Sequence, residues 1–361
     1  MKKWTKLFGI VALTGVITAC GDTEEEVDEA GDDDSNDVEE TEGMDDDDTE
    51  TEDDAGGEDE DDEVDADEED DDDEDAEAAE GADDDVLNIA HRGASGHAPE
   101  QTMPAIEKAA DMDVDWIEMD IQMTADDELV AFHDVEVDRT TDAEGDLKDF
   151  TLEELQEMDA GSWFNEEHPD YADEAFEGES IVTLEEVIEA LGTDENYYIE
   201  TKDAHLYDGI EEAMVELVEE HNLIEEDSVI IQSFEQDSLH KVQELNDEIP
   251  LVQLLWWEVE EDEEGELVMD EWLDVTAAPD EMTEEDFAEI HDYAIGIGPH
   301  LEYYDGTEVI DEDFVSTAQD NDLDVHIYTI NDEETMERLV DWSVDGIFTD
   351  YPDRLNDVLG R

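Results

Sequence analysis

The sequence predicts a TIM-type (β/α)8 barrel over residues 86–361, with an open doubly wound sheet as the alternative. Apolar segments of strand length recur after residue 86, and segments with helical periodicity lie between many of them. This alternation continues for about 270 residues, a length typical of one barrel domain. Seven Trp, nine Tyr and nine Phe in the chain argue against a wholly disordered protein.

Nine segments are predicted as strands, one more than a barrel of eight requires. The second and third are joined by residues 124–128, a connection too short for a helical crossover. One member of that pair is therefore predicted to be hairpin-like. The predicted strands are 86–91, 116–123, 129–133, 197–202, 229–234, 251–257, 294–299, 325–330 and 346–349.

Helices are predicted where apolar residues repeat at three- and four-residue spacing. Residues 134–182 interrupt the alternation, and Gly145, Gly161, Pro169 and Gly178 break regular structure there. This stretch is predicted to be a small, loop-rich insertion. The predicted helices are 103–111, 152–158, 184–191, 210–221, 236–245, 311–321 and 333–342.

The N-terminus predicts an export signal with a lipid-attachment site. Three lysines precede an apolar run at 7–17 that is too short for a comfortable membrane span, and small residues lead into Cys20, the only cysteine. We expect residues 1–20 to be a lipoprotein signal peptide and Cys20 to be lipidated, with a free or structural thiol as the alternative. The domain would then be anchored to the outer face of the cell membrane.

Residues 21–85 are predicted to be a disordered acidic linker. They contain no aromatic residue and consist largely of Asp, Glu, Gly and Ala. Such a composition buries too little apolar surface to offset the entropy of ordering the chain. The segment would serve as a tether that carries the domain outward, or as a solubility tail of no required length.

The acidity is not confined to this linker. The chain has 126 Asp and Glu against 12 Lys and Arg, a formal net charge of −114. Residues 22–85 hold 42 of the acidic groups, and the 84 that remain lie after residue 86 with nine Lys or Arg. A nucleic-acid partner is disfavoured at this charge. The sequence sets no oligomeric state.

The first predicted strand ends in a base, a fixed cation and a flexible residue: His91, Arg92 and Gly93. Together they can place a proton-transfer group beside an anion ligand. The third predicted strand ends at a second imidazole, His133. With so few cations in the domain, Arg92 and Lys202 at strand ends indicate a site for an anionic phosphate.

Carboxylates also point into the predicted barrel mouth. Glu118 and Asp120 are two residues apart and share one face of a strand, and Glu200 and Lys202 do likewise. Buried carboxylates are costly unless neutralised, and a hard cation such as Ca²⁺ or Mg²⁺ would gather Glu118, Asp120 and Glu200. The alternative is that they are ordinary solvated acids.

An ordered set of short motifs over about residues 87–357 resembles the glycerophosphodiester phosphodiesterase family. Gln101 and Tyr328 depart from that pattern, since the family usually has Asn and Trp at these places. The motifs are His91-Arg-Gly93, Pro99-Glu-Gln-Thr102, Glu118-Met-Asp120, His133-Asp134, Asp138-Arg-Thr-Thr141, Glu200-Thr-Lys202, Gln232-Ser-Phe234, Tyr328-Thr-Ile-Asn331 and Asp345-Gly-Ile-Phe-Thr-Asp-Tyr-Pro352.

The resemblance implies a TIM barrel that hydrolyses a glycerophosphodiester to glycerol 3-phosphate and an alcohol. It also implies a divalent metal ion, Ca²⁺ or Mg²⁺. The roles it assigns are an acid/base pair at His91 and His133, metal ligands at Glu118, Asp120 and Glu200, and phosphate contacts at Arg92 and Lys202.

Three alternative functions stay open. The same fold could cleave a lysophospholipid in the manner of a phospholipase D, or degrade a teichoic-acid-like polymer. A hydrophobic channel would favour the lipid, and an open polar groove the polymer. A catalytically silent binding lipoprotein is the third, although both histidines and all three carboxylates argue against it.

Other aromatic and imidazole side chains are less informative. His97 lies in the loop after the first strand and either lines the site or packs. Trp256 and Trp257 are expected to be a core pair, with the rim of the mouth as the alternative. The histidines expected at the surface or in packing roles are His168, His205, His221, His240, His291, His300 and His326.

The charge distribution predicts a halophilic protein. Self-repulsion destabilises a compact acidic domain at low ionic strength, and molar salt shortens the Debye length to about 3 Å. We expect the melting temperature of the purified protein, followed by circular dichroism, to rise from low salt to molar salt. Equal melting temperatures in the two buffers would contradict this expectation.

Overall fold

Eight parallel strands close into a barrel, which confirms the predicted TIM-type fold and shows that the open-sheet alternative is wrong. The computed structural model describes residues 86–261, 267–271, 282–302 and 308–361. It gives only the backbone of the strands at 257–261 and 267–271. The predicted signal peptide, its Cys20 and the predicted linker at 21–85 lie outside the described residues.

The strands are β1 (Leu87–Ala90), β2 (Trp116–Met123), β3 (Leu129–Ala131), β4 (Tyr197–Thr201), β5 (Val229–Ser233), β6 (Leu251–Leu255), β7 (Trp257–Glu261), β8 (Leu267–Glu271), β9 (Gly296–Pro299), β10 (Asp324–Ile327) and β11 (Gly346–Thr349). The helices are α1 (Met103–Asp111), α2 (Leu152–Leu155), α3 (Ser162–Glu167), α4 (Leu184–Leu191), α5 (Ile210–Glu220), α6 (Gln236–Leu245), α7 (Glu284–His291), α8 (Glu312–Asp320), α9 (Glu333–Asp341) and α10 (Pro352–Val358). Among these described helices, none is both long and apolar enough to cross a bilayer.

The barrel wall runs in the order β1-β2-β4-β5-β6-β9-β10-β11 and closes where β11 pairs with β1. β3 pairs antiparallel with the end of β2, at Ile121 opposite Ala131, so the extra predicted strand is indeed hairpin-like. β7 and β8 form a separate antiparallel pair that the sequence did not predict.

Apolar side chains pack against both faces of the barrel wall, as expected for parallel strands covered by helices. β5 and β6 are buried along their whole length. Inside the barrel, five strands each contribute one side chain to a cluster that consists of Ile89, Tyr198, Ile230, Val252 and Phe348. A larger cluster lies between the wall and the helices.

The chain between β3 and α4 has a small core of its own, which includes Val137, Leu147 and Leu155. This cluster packs its short helices against Val130 and Phe132, at and just after β3. Thr151 caps α2 within this segment, and Thr183 caps α4 at its end, each through a capping box.

Three short helices, α3, α7 and α10, were not predicted. α7 buries only Phe287 and Ile290, and α10 only Pro352 and Leu355. With so few apolar positions in one or two turns, the helical period is too weak to recognise in the sequence.

Gly93 is required by the turn that follows β1. Its φ is +76°, and a Cβ would lie 2.6 Å from the backbone carbonyl carbon of Ala105. Gly178 has a similar φ of +81°, but a Cβ there would meet no described atom within 4 Å.

We expect Gly93→Ala to lower the free energy of unfolding by about 1–3 kcal/mol more than Gly178→Ala. Both residues have a left-handed backbone, but only at position 93 does the added methyl group also clash with a neighbour. Urea unfolding of both variants in molar salt measures the difference. Equal losses would show that backbone conformation alone decides the cost at Gly93.

Candidate active site

A cavity of about 1060 Å³ opens at the carboxyl ends of the barrel strands. This is the end at which TIM-barrel enzymes carry their active sites. All seven residues singled out at the predicted strand ends line this one cavity: His91, Arg92, Glu118, Asp120, His133, Glu200 and Lys202.

The turn after β1 brings Arg92 to the mouth in a left-handed conformation, with φ at +58°. Such a conformation costs a non-glycine residue free energy and persists only where the surroundings hold it. Here the Arg92 amide donates a 2.8 Å hydrogen bond to Glu118 Oε2, and the Gly93 amide donates a 3.3 Å bond to the Glu118 carbonyl. Glu118 therefore holds the turn that carries Arg92.

Three carboxylates converge at the base of the cavity. Glu118 and Asp120 lie on β2, and Glu200 lies on β4, in register with Asp120. All three side chains are buried, and each offers an oxygen within 4.8 Å of the others. This group can hold a hard metal ion through oxygen ligands.

Two cations border the three carboxylates. Arg92 Nε lies 3.2 Å from Asp120 Oδ2. Lys202 Nζ lies 3.1 Å from Glu200 Oε1 and 3.7 Å from Asp120 Oδ1. The amide of Gln101 donates a 2.7 Å bond to Asp120 Oδ2, so this departure from the family pattern still holds the carboxylate.

The three carboxyl groups titrate differently. Burial raises the pKa of Glu118 well above its usual value, and Asp120 and Glu200 raise it further. Burial likewise raises the pKa of Glu200 to about 8, with Asp120 adding to the effect and Lys202 opposing it. For Asp120 burial acts in the same direction, but Lys202, His133 and Arg92 outweigh it and hold the pKa well below its usual range. Asp120 is therefore the carboxylate that stays ionised without a metal ion.

Each histidine at the mouth is held by an aspartate. His91 Nδ1 lies 2.7 Å from Asp350 Oδ1, and His133 Nδ1 lies 2.5 Å from Asp134 Oδ1. A hydrogen bond at Nδ1 fixes the ring and its tautomer, so that Nε2 can exchange a proton. Burial lowers the pKa of His133, which leaves it able to act as a base near neutral pH.

Asp350 is itself well anchored. Ser95 Oγ donates to its Oδ1 at 2.9 Å, and Asn331 Nδ2 donates to its Oδ2 at 2.7 Å. Burial would raise the pKa of Asp350, but its hydrogen bond to His91 and the other donors bring it down to about 2. Sequence reasoning did not assign a role to Asp350 or Asp134, although both stand within motifs that it quoted.

One side of the cavity is aromatic, with Phe234, Trp256 and Tyr328 among its lining residues. Trp256 stacks on His300, with ring centroids 4.5 Å apart. The expectation that Trp256 belongs to the core is therefore wrong, and His300 is a packing residue that also lines the cavity. The side chain of Trp257 lies outside the described residues.

Two other histidines lie away from the cavity lining. His97 Nε2 contacts Asp353 Oδ1 at 2.8 Å and its ring packs on Tyr351, so it belongs to the packing of the first loop. His326 is buried and bonds the Tyr198 hydroxyl, as expected of a packing residue.

Two imidazoles, two cations and three carboxylates at one cavity suit the cleavage of a phosphate ester, which needs proton transfer and positive charge beside the phosphate. Known proteins point in the same direction. Residues 91–354 match the model of the glycerophosphoryl diester phosphodiesterase family.

Two curated relatives and one solved structure illustrate the similarity. A glycerophosphodiester phosphodiesterase of Bacillus subtilis (strain 168) is 40% identical over 277 residues, which cover 76% of this chain and 86% of the relative. Another glycerophosphodiester phosphodiesterase, from Caldanaerobacter subterraneus subsp. tengcongensis, is 35% identical over 272 residues, which cover 74% of this chain and 96% of the relative. The solved structure is a phosphodiesterase of Oleispira antarctica in complex with the product sn-glycerol-3-phosphate. It superimposes with a TM-score of 0.60 at 26% identity, and the match covers 76% of this chain and 96% of that one.

The family match covers residues 91–354, which include all seven of these cavity residues. The chain therefore belongs to the glycerophosphoryl diester phosphodiesterase family and is a phosphoric diester hydrolase.

Proposed function

We propose that the protein hydrolyses glycerophosphodiesters to glycerol 3-phosphate and an alcohol, using a divalent metal ion and two histidines. The observation that carries the proposal is the convergence of three buried carboxylates, two cations and two aspartate-held imidazoles on one cavity. No single member of this set would indicate the reaction, but together they supply every group that phosphodiester cleavage needs.

The donor set fits a hard cation such as Ca²⁺ or Mg²⁺. Glu118, Asp120 and Glu200 offer oxygens only, which suits these ions better than softer metals. Gln232 also lines the cavity, and its Oε1 is buried with no hydrogen-bond partner among the described residues. When bound, the ion would supply positive charge to the phosphate and would lower the pKa of an attacking oxygen.

Charge balance supports the same assignment. When ionised, the three carboxylates exceed the charge of Arg92 and Lys202 by one negative charge. Full ionisation of the three carboxylates, which metal binding requires, would therefore leave the site unfavourable for an anionic phosphodiester unless the ion is present. A divalent cation would make the net charge of this ionised site positive, so that the site attracts the substrate. Without the ion, Glu118 and Glu200 keep protons near neutral pH because burial raises the pKa of both groups.

Arg92 and Lys202 would bind the phosphate oxygens and stabilise the charge that develops on them. His91 and His133 would act as the acid/base pair: one accepts the proton of the attacking oxygen, and the other donates a proton to the leaving alcohol. Asp350 and Asp134 would stabilise whichever imidazole is protonated, because each accepts a hydrogen bond at Nδ1.

A lysophospholipid is the second candidate substrate. The aromatic side formed by Phe234, Trp256 and Tyr328 supports it, because an apolar wall beside the phosphate site would suit an acyl chain. The first experiment is therefore a substrate panel of glycerophosphocholine, glycerophosphoethanolamine, glycerophosphoglycerol and a lysophospholipid, assayed in molar salt with Ca²⁺ or Mg²⁺. Release of glycerol 3-phosphate from the first three supports the proposal, whereas turnover of the lysophospholipid alone favours the second candidate.

We expect His133→Ala to lower kcat on the best substrate of this panel by about 10²–10⁴-fold, because general acid/base groups contribute on this scale. The melting temperature should change little, since the side chain is 28% exposed at the mouth.

His221→Ala is the matched control. His221 caps the end of α5, a helix that starts near the mouth and runs back to the opposite end of the barrel. This variant should keep wild-type kcat. If His133→Ala also kept it, the two-histidine mechanism would be wrong.

Glu200 generates a pH-dependent prediction. Between its ordinary pKa of 4.5 and its folded value of about 8, the folded metal-free protein retains a proton that the unfolded chain has released. Glu200 therefore destabilises the fold increasingly as the pH rises through this window. Glu200→Gln carries no such group. In chelator, the melting temperature of Glu200→Gln minus that of the wild type should therefore increase from pH 5 to pH 8.

Added Ca²⁺ or Mg²⁺ should reverse this order at pH 8. Ions that bind only the folded state raise its stability, and the wild type keeps the ligand that Glu200→Gln has lost. Equal thermal shifts in the two proteins, or a melting difference that does not vary with pH in chelator, would refute the role given to Glu200.

A further inference from the structure

Arg139 lies in the segment between β3 and α4, and the small core of that segment positions it. Val137 is fully buried in that core. The Val137 amide donates to the Gly145 carbonyl at 2.9 Å, and Thr141 Oγ1 donates to the Val137 carbonyl at 2.7 Å. The turn that carries Arg139 is therefore held on both sides.

The Arg139 guanidinium bridges two carboxylates from different loops. Its Nε donates to Asp134 Oδ2 at 2.5 Å. Its Nη2 and Nη1 donate to Glu100 Oε1 at 2.6 Å and to Glu100 Oε2 at 3.0 Å. A bidentate pair of this kind fixes geometry more strongly than a single ion pair.

Each of these carboxylates also holds a residue of the active site. Asp134 Oδ1 lies 2.5 Å from His133 Nδ1, and Glu100 Oε1 accepts a 2.9 Å bond from Arg92 Nη1. Burial alone would raise the pKa of Glu100, but Arg92 and Arg139 outweigh it and keep the group ionised. One guanidinium thus connects the partner of His133 with the partner of Arg92.

We propose that Arg139 is a positioning residue that sets His133 and Arg92 in their working places by clamping Asp134 and Glu100, and that the segment between β3 and α4 serves to deliver it. This inference rests on the proposed roles of His133 and Arg92. Arg139 is not among the described residues that line the cavity, so it acts through its two neighbours and does not touch the substrate.

The competing view is a surface ion pair of no consequence, since the Arg139 side chain is 44% exposed and exposed pairs contribute little. Two features oppose that view. The carboxylates that accept from Arg139 are more buried than Arg139 itself. The Glu100 side chain is 13% exposed, and that of Asp134 is 27% exposed. Both acceptors are also shared with residues of the cavity, so releasing Arg139 would free two active-site side chains at once.

Steady-state kinetics of Arg139→Ala on glycerophosphocholine, in molar salt with Ca²⁺, tests the proposal. Removing a residue that orients a metal ligand typically costs about 10–100-fold in activity, and we expect kcat to fall on a similar scale when the partners of His133 and Arg92 are released. KM should rise less than kcat falls, because no direct contact to substrate is removed and only the placement of Arg92 is loosened. Arg139→Lys should recover part of kcat, and tens of millimolar guanidinium should restore Arg139→Ala where the same concentration of NaCl does not.

Arg338→Ala is the control, because Arg338 is 39% exposed, pairs with Glu308 and is not among the cavity-lining residues in the described part of the chain. It should keep wild-type kcat. The proposal is overturned if Arg139→Ala keeps full kcat, if only its KM rises, or if its lost activity follows a lowered melting temperature and guanidinium does not restore it.

His133→Ala in the same assay separates this inference from the proposed function. If His133→Ala loses activity and Arg139→Ala does not, only the positioning role fails. If His133→Ala stays fully active, the two-histidine mechanism fails, whatever Arg139→Ala does.

Discussion

The site depends on one constraint, the burial of three carboxylates at the mouth of an apolar barrel. Glu118, Asp120 and Glu200 come from adjacent strands, and the parallel register of β2 and β4 sets Asp120 opposite Glu200. Carboxylates removed from water are costly unless opposite charge and hydrogen bonds surround them. Arg92 and Lys202 provide part of that charge, and a hard cation would provide the rest.

This constraint explains where the scarce cations of the chain lie. Only nine Lys or Arg follow residue 86, against 84 acidic groups, yet three of them meet within one network: Arg92, Arg139 and Lys202. A cation placed beside buried carboxylates in low dielectric contributes more than one on the surface. The other acidic groups have few cations near them, and the halophilic behaviour expected from this charge stays a prediction.

Closure of the barrel is the second condition for the site. His91 follows β1 and Asp350 follows β11, the two strands whose pairing closes the wall, with Ala90 in register with Thr349. The two side chains form a hydrogen bond although they lie 259 residues apart in sequence. In an open sheet of a different order these strand ends would not be neighbours, and His91 would lose its aspartate.

The sequence by itself determined the eight wall strands and singled out seven residues that line the cavity, because strand periodicity and short motifs are local features of the chain. It could not show the partners of those residues. Asp350 beside His91, Trp256 stacked on His300, and Arg139 between Asp134 and Glu100 are contacts between distant segments. Only the tertiary structure decided them, because which strand ends and loops meet depends on barrel closure and on the packing of the segment after β3.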